Sequence, residues 1–493
     1  MKQGFDSELY MQKQKEQILK RISQFGKLYL EFGGKLFDDL HAARVLPGFD
    51  KAAKIKLLTS LKDEAELIIC ISAGDIERNK IRADYGITYG TEVARMIDNI
   101  SNQGISINSV VITMFEDQQS AIAYKSKLEN RGIKVFLHRK TKGYPHDVDT
   151  IVSDSGYGAN PYIPTTKPLV VVSAPGPGSG KLATCLSQVY HENKRGVNAS
   201  YAKFETFPIW NLPLLHPVNL AYEAATADLL DVNQIDTFHY DAYGIMAVNY
   251  NRDLEAFPVL KAILTKISSS NVVYKSPTDM GVNMAGYCIY DDDAVCEAAK
   301  QEIIRRYLKG LVDFKNGLAN EKTVLRLEFL MSKLSLKVED RVVVTAAREK
   351  ESKTGKPSMA IELDDGRIIR GKGSDNMSAS AACVFNAVKV LADIPKSVKL
   401  ISPDIIAPIN RLKKNILKDK DKALNLEEAL LALTICANAD PTAKLALKQL
   451  NSLNNLQAHS TCILKEADEE ALRKLGINLT SDPKFSSNDL YSD

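Results

Sequence analysis

The sequence predicts an α/β protein with three regions: an amino-terminal domain on a largely parallel βαβ sheet, a mainly helical middle region, and a carboxy-terminal α+β domain with a β-hairpin. Three observations support this fold class. Short apolar runs alternate with helical stretches in the first half, helical patterns dominate after residue 251, and Asp365 followed by Gly366 separates two strand-like runs. Alternating strands and helices form parallel sheets, and Asp-Gly between apolar runs is typical of hairpins.

The amino-terminal domain is predicted to span 1–250. A helix capped by Asp6 or Ser7 comes first, because a short polar side chain can accept hydrogen bonds from first-turn amides. Apolar runs of strand length follow at 28–32, 67–72, 109–115, 134–137, 150–153 and 169–173. In a parallel sheet the carboxyl ends of the strands share one edge, where ligands bind.

The elements of the middle and carboxy-terminal regions are predicted from the same kinds of apolar pattern. The middle region, 251–339, has helical patterns at 252–268, 291–308 and 321–336. The third domain, 340–480, is predicted to hold strands at 341–348, 358–363, 367–370 and 460–464, and helices at 376–392, at 466–475 and after Asp440 and Pro441. We expect the mostly polar tail, 481–493, to be poorly ordered.

Composition and net charge limit the classes of partner that this protein is expected to bind. The chain has 493 residues, 45 % hydrophobic and 25 % charged, and its 64 basic and 61 acidic residues leave a net charge of +3. These values are ordinary for a soluble globular protein and exclude collagen-like or wholly disordered chains. A dedicated nucleic-acid binder usually has a strong basic excess, so we expect no nucleic-acid partner. The apolar stretch 429–437 is shorter than the roughly 18 residues that span a bilayer, so we expect no membrane insertion.

Cysteine usage predicts a cytoplasmic protein. The seven cysteines include no Cys-x-x-Cys pair, and most lie within apolar stretches. An odd number of thiols in apolar surroundings is typical of a reducing compartment.

The sharpest local signal is a glycine-rich turn between a strand and a helix. The strand at 169–173 leads into a segment that contains Gly176, Gly178, Ser179, Gly180 and Lys181. Glycines let backbone N–H groups approach phosphate oxygens, a helix amino terminus supplies partial positive charge, and a lysine neutralises the anion. We therefore expect these five residues to bind a nucleotide or another phosphorylated ligand.

The turn departs from a Walker A loop at two positions. The first glycine of the motif is replaced by Pro175, and the hydroxyl that binds Mg²⁺ is replaced by Leu182. An ordinary Mg²⁺-dependent nucleotide triphosphatase is therefore disfavoured. A tight structural turn with a solvated Lys181 is the alternative.

Further polar residues follow other predicted strands or lie in polar loops. Lys35 comes after Gly33 and Gly34 in a second glycine turn, and Gly371 begins a third. If the sheet is parallel, charged side chains at strand ends lie near the ligand. The additional candidate binding residues are Lys35, Asp75, Asp154, which is expected near Lys181, Lys275 and Asn283.

A polar and aromatic stretch at 203–244 and a loop at 275–283 contain candidates for acid–base catalysis. These are His216, Glu223, Asp241 and Asp279. Core or capping roles are equally compatible with the sequence. His191 and Glu192 begin a zinc-peptidase motif, but Arg195 stands where the second histidine ligand belongs. No cluster has metal-ligand spacing, so no metal site is predicted.

Four motifs resemble a bacterial family of uncharacterised proteins, domain-of-unknown-function family 1846, also called uncharacterised protein family 0371. They run from Val172 to Lys181, from His216 to Glu223, from Ser276 to Asn283 and from Leu475 to Thr480. The resemblance covers essentially the whole chain. It implies membership of the family but no particular reaction, because the family has no agreed activity. A peptidase label sometimes applied to such proteins gains no support from the incomplete motif at His191.

Two functions remain open from the sequence. The first is an enzyme, such as a transferase or ligase, that binds ATP, another nucleotide or another phosphorylated small molecule at the glycine-rich turn. The second is a non-catalytic ligand sensor or assembly protein whose glycine turns are structural. A homo-oligomer is compatible with either.

Overall fold

The computed structural model describes residues 2–82, 86–268, 274–418 and 422–487. The chain divides into two compact units. The first comprises residues 2–223 and 231–299, and the second comprises residues 224–230 with the chain from Lys300 onward. Within the described residues, the first unit contains a seven-stranded sheet and the second a four-stranded sheet.

Strands are short throughout. The strands of the described residues are β1 (Lys27–Phe32), β2 (Ala65–Ser72), β3 (Ile81–Arg82), β4 (Ile87–Thr88), β5 (Ser106–Thr113), β6 (Val135–Leu137), β7 (Leu169–Ser173), β8 (Ala199–Phe204), β9 (Asn233–Ile235), β10 (Val248–Tyr250), β11 (Gly281–Val282), β12 (Ser358–Glu362), β13 (Ile368–Lys372), β14 (Gln457–Ser460) and β15 (Asn478–Ser481).

Helices connect most of these strands. The α-helices of the described residues are α1 (Ser7–Phe25), α2 (Leu40–Val45), α3 (Ala53–Thr59), α4 (Ala73–Glu77), α5 (Tyr89–Asn102), α6 (Gln119–Glu129), α7 (Val148–Ile151), α8 (Lys181–Lys194), α9 (Pro217–Ala225), α10 (Thr237–Tyr243), α11 (Asn251–Ile267), α12 (Pro277–Met280), α13 (Asp292–Lys315), α14 (Glu321–Lys333), α15 (Val342–Thr354), α16 (Ala379–Leu391), α17 (Pro403–Asn415), α18 (Leu426–Cys436), α19 (Pro441–Lys448) and α20 (Glu466–Lys474).

The large sheet of the first unit is parallel, as predicted. Its strand order is β11-β8-β1-β7-β2-β5-β6, and each neighbouring pair runs parallel. Every residue of β2 and β7 is buried. Near-continuous apolar strands are what a parallel sheet requires when connecting helices cover both faces. Among those helices, α8 packs against β1, β7 and β8.

Capping chemistry explains one success and one error in the first unit. Asp6 caps α1 by accepting a hydrogen bond from the Leu9 amide at 2.9 Å, as predicted. The strand predicted at 150–153 is wrong, because its first two residues end α7 and the next two form a turn. Asp147 accepts hydrogen bonds from both the amide and the hydroxyl of Thr150, so a helix cap outweighs the strand preference of a short β-branched run.

The second unit contains the predicted hairpin within a mixed sheet. β12 pairs antiparallel with β13 through a turn in which Gly366 has φ +81°, a conformation that favours glycine. The order is β13-β12-β14-β15, and only the β14–β15 pair of this sheet is parallel.

The helices predicted in the middle region are confirmed as α11, α13 and α14.

The strand predicted at 341–348 is wrong, because residues 342–354 form α15. Val343, Ala346 and Ala347 are buried against Ala360 of β12. Their spacing places them on one helical face. Packing of this face on the sheet therefore outweighs the strand preference of three consecutive valines.

The end of the chain is more structured than its polar composition suggests. The strand predicted at 460–464 lies earlier, as β14, and β15 was not predicted. Beyond β15, Asp482 accepts two hydrogen bonds from Arg348. The rest of the predicted tail, 488–493, lies outside the described residues.

No disulfide joins the seven cysteines, all of which the structure describes. Among the described helices, none combines the length and the apolar character needed to cross a bilayer.

Candidate functional site

The parallel sheet has a topological switch point between β1 and β7. These two strands are neighbours, with Leu28 opposite Leu169 and Glu31 opposite Val172. The chain leaves β1 for β2, which lies beyond β7, and leaves β7 for β8, which lies beyond β1. Since parallel crossovers are right-handed, the two connections cover opposite faces. A crevice forms outside the carboxyl ends of such strands and is the usual ligand site of open α/β sheets.

Both glycine turns of the first half follow the two strands that flank this point. The turn that contains Gly33, Gly34 and Lys35 follows β1, and the segment 174–181 follows β7. We call the space between these two loops the switch-point crevice. The sequence predicted both turns as candidate sites, but only the strand order makes them adjacent.

The loop after β7 makes close contacts with Tyr89 and Thr113. A Cβ at position 176 would lie 2.2 Å from the Tyr89 hydroxyl, and a Cβ at position 180 would lie 2.8 Å from Thr113. Thr113 donates a hydrogen bond to the Ser179 carbonyl at 2.8 Å, and the Ser179 hydroxyl donates to the Gly176 carbonyl at 2.9 Å. Ser179 is therefore a structural residue of the loop, and its hydroxyl is engaged within it.

The amino end of α8 faces this loop without a side-chain cap. Its N-cap residue, Gly180, has φ +78°, and no side chain of the described residues caps the first-turn amides. Such amides carry partial positive charge and favour an anion. A Cβ at Gly178 would meet no atom within 4 Å, so the loop is open at this residue. The Ser173 hydroxyl, buried at the end of β7, has no hydrogen-bond partner among the described residues.

Lys181 points to β1. Its Nζ lies 3.8 Å from Glu31 Oε1, and the two side chains are 14 % and 13 % exposed. Glu31 also accepts a hydrogen bond from the Tyr201 hydroxyl at 2.8 Å. The lysine charge is thus partly offset, but 3.8 Å is beyond hydrogen-bond distance. Within the described residues, the ammonium makes this ion pair and no hydrogen bond.

A second group of charges at the end of β8 was not predicted. Lys203 Nζ lies 2.6 Å from Glu205 Oε1 and 2.6 Å from Asp253 Oδ2. Burial raises the pKa of Glu205 above its ordinary range, and the charges of Asp253 and Glu31 add to this rise although Lys203 opposes it. One cation between two carboxylates allows one of them to hold a proton near neutral pH. The only sequence signal was a Lys-x-Glu pattern at a strand end.

The loop after β1 rests on another buried ion pair. Lys54 Nζ lies 2.7 Å from Asp39 Oδ2 and donates a hydrogen bond to the Gly33 carbonyl at 3.4 Å. Burial raises the pKa of Asp39, but the charge and hydrogen bond of Lys54 outweigh it and hold the pKa below its ordinary value. Lys35 lies half-buried in the same loop.

Asp75 lies beside the crevice but is engaged elsewhere. It follows β2, the other neighbour of β7, and is buried. Its carboxylate pairs with Arg78 and lies 3.7 Å from Lys80 Nζ. Lys80 stacks over the Tyr89 ring at 4.8 Å, and Tyr89 contacts Gly176. Asp75 thus supports the wall of the crevice.

Asp154 is not near Lys181, contrary to the prediction. It is exposed and pairs with Lys194 at the carboxyl end of α8, where it also accepts a hydrogen bond from Tyr190. Lys181 begins the same helix, about 20 Å away at 1.5 Å per residue. The error follows from the segment before Asp154, which is the end of α7 and a turn and not a strand of the parallel sheet.

The candidate catalytic residues do not converge on the crevice. Glu223 is buried and accepts a hydrogen bond from the Asn233 amide at 2.8 Å, so it helps to position β9. Asp241 is exposed on α10. Asn283 follows β11 and donates to the Pro208 carbonyl at 2.7 Å. β11 lies three strands from β7, about 14 Å at ordinary strand spacing.

Asp279, Ser276 and His239 form a network that resembles a catalytic triad but lacks its geometry. His239 Nδ1 lies 2.9 Å from Ser276 Oγ and 3.8 Å from Asp279 Oδ1. A triad uses the two ring nitrogens for the two partners, and here both face Nδ1. Ser276 is fully buried and caps α12. Asp279 accepts hydrogen bonds from Tyr243 and the Lys275 amide, so the network fixes this loop.

His216 lies in a cluster that the sequence could not show. His216, Asp292 and Cys296 place one ligand atom each within 4.8 Å of one another, an arrangement that can hold a metal ion. The Val218 amide, however, donates to His216 Nδ1 at 3.2 Å. The ring proton therefore lies on Nε2, which is 3.0 Å from Asp292 Oδ1. A metal-binding histidine needs the opposite arrangement, with its second nitrogen as the donor, so the hydrogen bonds favour a structural cluster.

These features define a parallel α/β protein with a glycine-lined crevice at its topological switch point. The N-terminal domain of unknown function DUF1846 matches residues 3–335, and the C-terminal domain of unknown function DUF1846 matches residues 339–491. A UPF0371 protein of Clostridium botulinum (strain Eklund 17B / Type B) and one of Clostridium tetani (strain Massachusetts / E88) are each 56 % identical over 499 aligned positions, covering 100 % of this chain and 99 % of theirs. The chain belongs to this family, whose function is uncharacterised.

Proposed function

We propose that the protein binds a phosphorylated small molecule, with a nucleotide as the leading candidate, in the switch-point crevice. The observation that carries the proposal is the position of the uncapped amino end of α8 at the switch point. The anionic group lies on the first-turn amides beside Gly178, and Lys181 supplies the nearest positive charge. The buried Ser173 hydroxyl offers a further hydrogen bond at the strand end.

Residues suited to group transfer lie beside the crevice. Glu205 and Lys203 lie at the end of β8, next to β1 in the sheet, and the raised pKa of Glu205 suits an acid–base group. A transferase or ligase that uses Glu205 as its proton acceptor is therefore the enzymatic form of the proposal. Since no hydroxyl stands at Leu182, binding is not expected to depend on Mg²⁺ held by that position.

The ion pair between Lys181 and Glu31 favours a second candidate, a non-catalytic ligand sensor. In this form, an incoming phosphate draws the ammonium from Glu31. The two candidates differ in one measurable property, because only the enzyme converts its ligand. Product analysis after incubation with the ligand separates them.

Binding is tested by thermal unfolding of the full chain with ATP, GTP, AMP and inorganic phosphate, each with and without Mg²⁺. A ligand that binds the folded state raises Tm. Lys181→Met removes the charge, and Gly178→Asn fills the loop with a residue that tolerates positive φ. We expect both variants to lose the ligand-induced shift. Lys194→Met, at the other end of the same helix, is the matched control and keeps it.

No shift with any of these ligands would sink the proposal. A shift that survives both Lys181→Met and Gly178→Asn would place the anion outside the crevice. A Glu205→Gln variant that binds the ligand normally but no longer converts it supports the transferase or ligase, whereas an unchanged rate removes Glu205 from the reaction.

A further inference from the structure

The second unit contains a cavity of about 500 Å³ between α16 and α17. One side is formed by the chain that leaves the β13 strand, at Ser374, Asn376 and Met377. This volume is in the range of small-molecule sites in proteins. The cavity is formed within the second unit, so its chemistry is independent of the switch-point crevice.

The floor of the cavity is apolar and firmly packed. Phe385, Leu400 and Ile401 line it and are 5 %, 3 % and 3 % exposed, as members of the hydrophobic core of this unit. Ile406 of α17 lines the same space and packs on that core. A floor anchored in the core keeps its shape, and it suits the apolar body of a ligand.

One polar atom in the lining has no partner. The Oδ1 atom of Asn410, on α17, is buried and makes no hydrogen bond to any described residue. Asn386, by contrast, is satisfied through its bond to the Arg370 carbonyl at 3.0 Å. An unsatisfied buried acceptor is costly, and an N–H or O–H group of a ligand would satisfy it once the Asn410 side chain turns toward the cavity.

Two lysines bring positive charge to the lining of the cavity. Lys389 and Lys399 line the cavity, and none of its lining residues in the described chain is acidic. Lys389 Nζ is held by the Lys396 carbonyl at 3.3 Å. Burial lowers the pKa of Lys389, and a bound anion would reverse this effect.

We infer that this cavity binds a small organic anion that has an apolar body and an N–H or O–H donor. The anionic group lies between Lys389 and Lys399, the body packs on Phe385 and Leu400, and the donor reaches Asn410 Oδ1. The three features are needed together, so the site distinguishes ligands that differ in only one of them.

Three probes separate these features by isothermal titration of the full chain. Indole-3-acetate has all of them, 1-naphthaleneacetate lacks the N–H donor, and tryptamine replaces the anion with a cation. We expect saturable binding of indole-3-acetate, about tenfold weaker binding of 1-naphthaleneacetate because a buried acceptor stays unsatisfied, and no binding of tryptamine. Asn410→Leu should remove the preference between the first two probes.

Variants locate the binding in the cavity. Lys389→Met should weaken indole-3-acetate binding about fivefold, as expected for a partly exposed charge pair. Lys396→Met, in the segment after α16 and outside the lining, is the control and should change it less than twofold. Ala407 lines the cavity and is exposed on α17. Ala407→Trp should therefore fill the cavity without disturbing the hydrophobic core, and it should abolish binding.

The inference is overturned if indole-3-acetate shows no saturable binding at millimolar concentration, if tryptamine binds as well, or if Ala407→Trp leaves binding unchanged. Equal binding of the two acetates overturns the role of Asn410. Lys181→Met should leave every one of these titrations unaltered, which keeps the test separate from that of the switch-point crevice.

Discussion

Gly371 was predicted to begin a third glycine turn but lies in β13, and it offers a test of whether this segment serves packing or ligand binding. A Cβ at position 371 would lie 2.3 Å from the Cys383 amide nitrogen and 2.5 Å from Cys383 Cα. These are backbone atoms of α16, so the helix would have to move about 1 Å or more to restore ordinary carbon contacts of about 3.5 Å. The absence of a side chain at Gly371 therefore lets the α16 helix pack directly on β13.

Gly371→Ala should destabilise the second unit by about 3 kcal/mol, the upper end of the usual range for overpacking. Gly373→Ala is the matched control, since its Cβ would meet only the Pro357 carbonyl at 3.7 Å and the Ala379 amide at 4.0 Å. That variant should be neutral or more stable by up to about 1 kcal/mol, because alanine restricts the unfolded chain. The two variants should thus differ by 3 to 4 kcal/mol, as an order-of-magnitude estimate.

The measurement must report on the second unit. The single tryptophan, Trp210, belongs to the first unit, so its fluorescence does not follow α16. Amide hydrogen exchange of peptides from α16 and β13, in increasing denaturant, measures the local unfolding free energy directly. If the amides of α16 are as well protected from exchange in Gly371→Ala as in Gly373→Ala, the packing argument is refuted. This segment would then be available for ligand binding.

Two further predictions concern buried charges in the first unit. Burial lowers the pKa of His138 to about 4. Between pH 6.5 and 4 the unfolded chain therefore takes up a proton that the folded chain does not. The free energy of unfolding should decrease by about 3 kcal/mol as the pH is lowered through this range. His138→Gln, which can keep the hydrogen bond to the Pro161 carbonyl, should therefore show a smaller loss between pH 7 and pH 4 in denaturant titrations; an unchanged pH dependence would contradict this. Lys54→Met leaves Asp39 buried without its ion-pair partner and should cost about 3 to 5 kcal/mol, measured by thermal unfolding. Asp39→Asn added to Lys54→Met should recover most of that loss, and a double variant no more stable than Lys54→Met would show that charge burial is not the cause.

Local patterns predicted most elements because their causes are local. The turn at Asp365 and Gly366, the cap at Asp440 and the fully apolar run of β7 each depend on a few neighbouring residues, and each appears where expected. The errors occurred where tertiary packing competes with propensity. At 342–354 three valines favour a strand, but a buried helical face decides the outcome.

The candidate site was only partly predictable for the same reason. Gly176 to Lys181 and Lys35 were predicted as candidates because glycine turns after strands are visible in the sequence. Lys203 and Glu205 were missed, since their interest comes from burial together with Asp253. Asp154 was misplaced because its position relative to α8 depends on how the chain between β6 and β7 folds.

By itself, the sequence determined that the protein is α/β, that a strand leads into a glycine-rich turn and a lysine, and that no Walker hydroxyl follows. Each of these is a property of residues close together in the chain. Only the tertiary structure decided that β7 lies between β1 and β2, which brings the two glycine turns together, and that Lys181 faces Glu31. Strand order depends on contacts between distant segments, because the hydrophobic faces of the crossover helices must all be buried at once, and no local periodicity records that order.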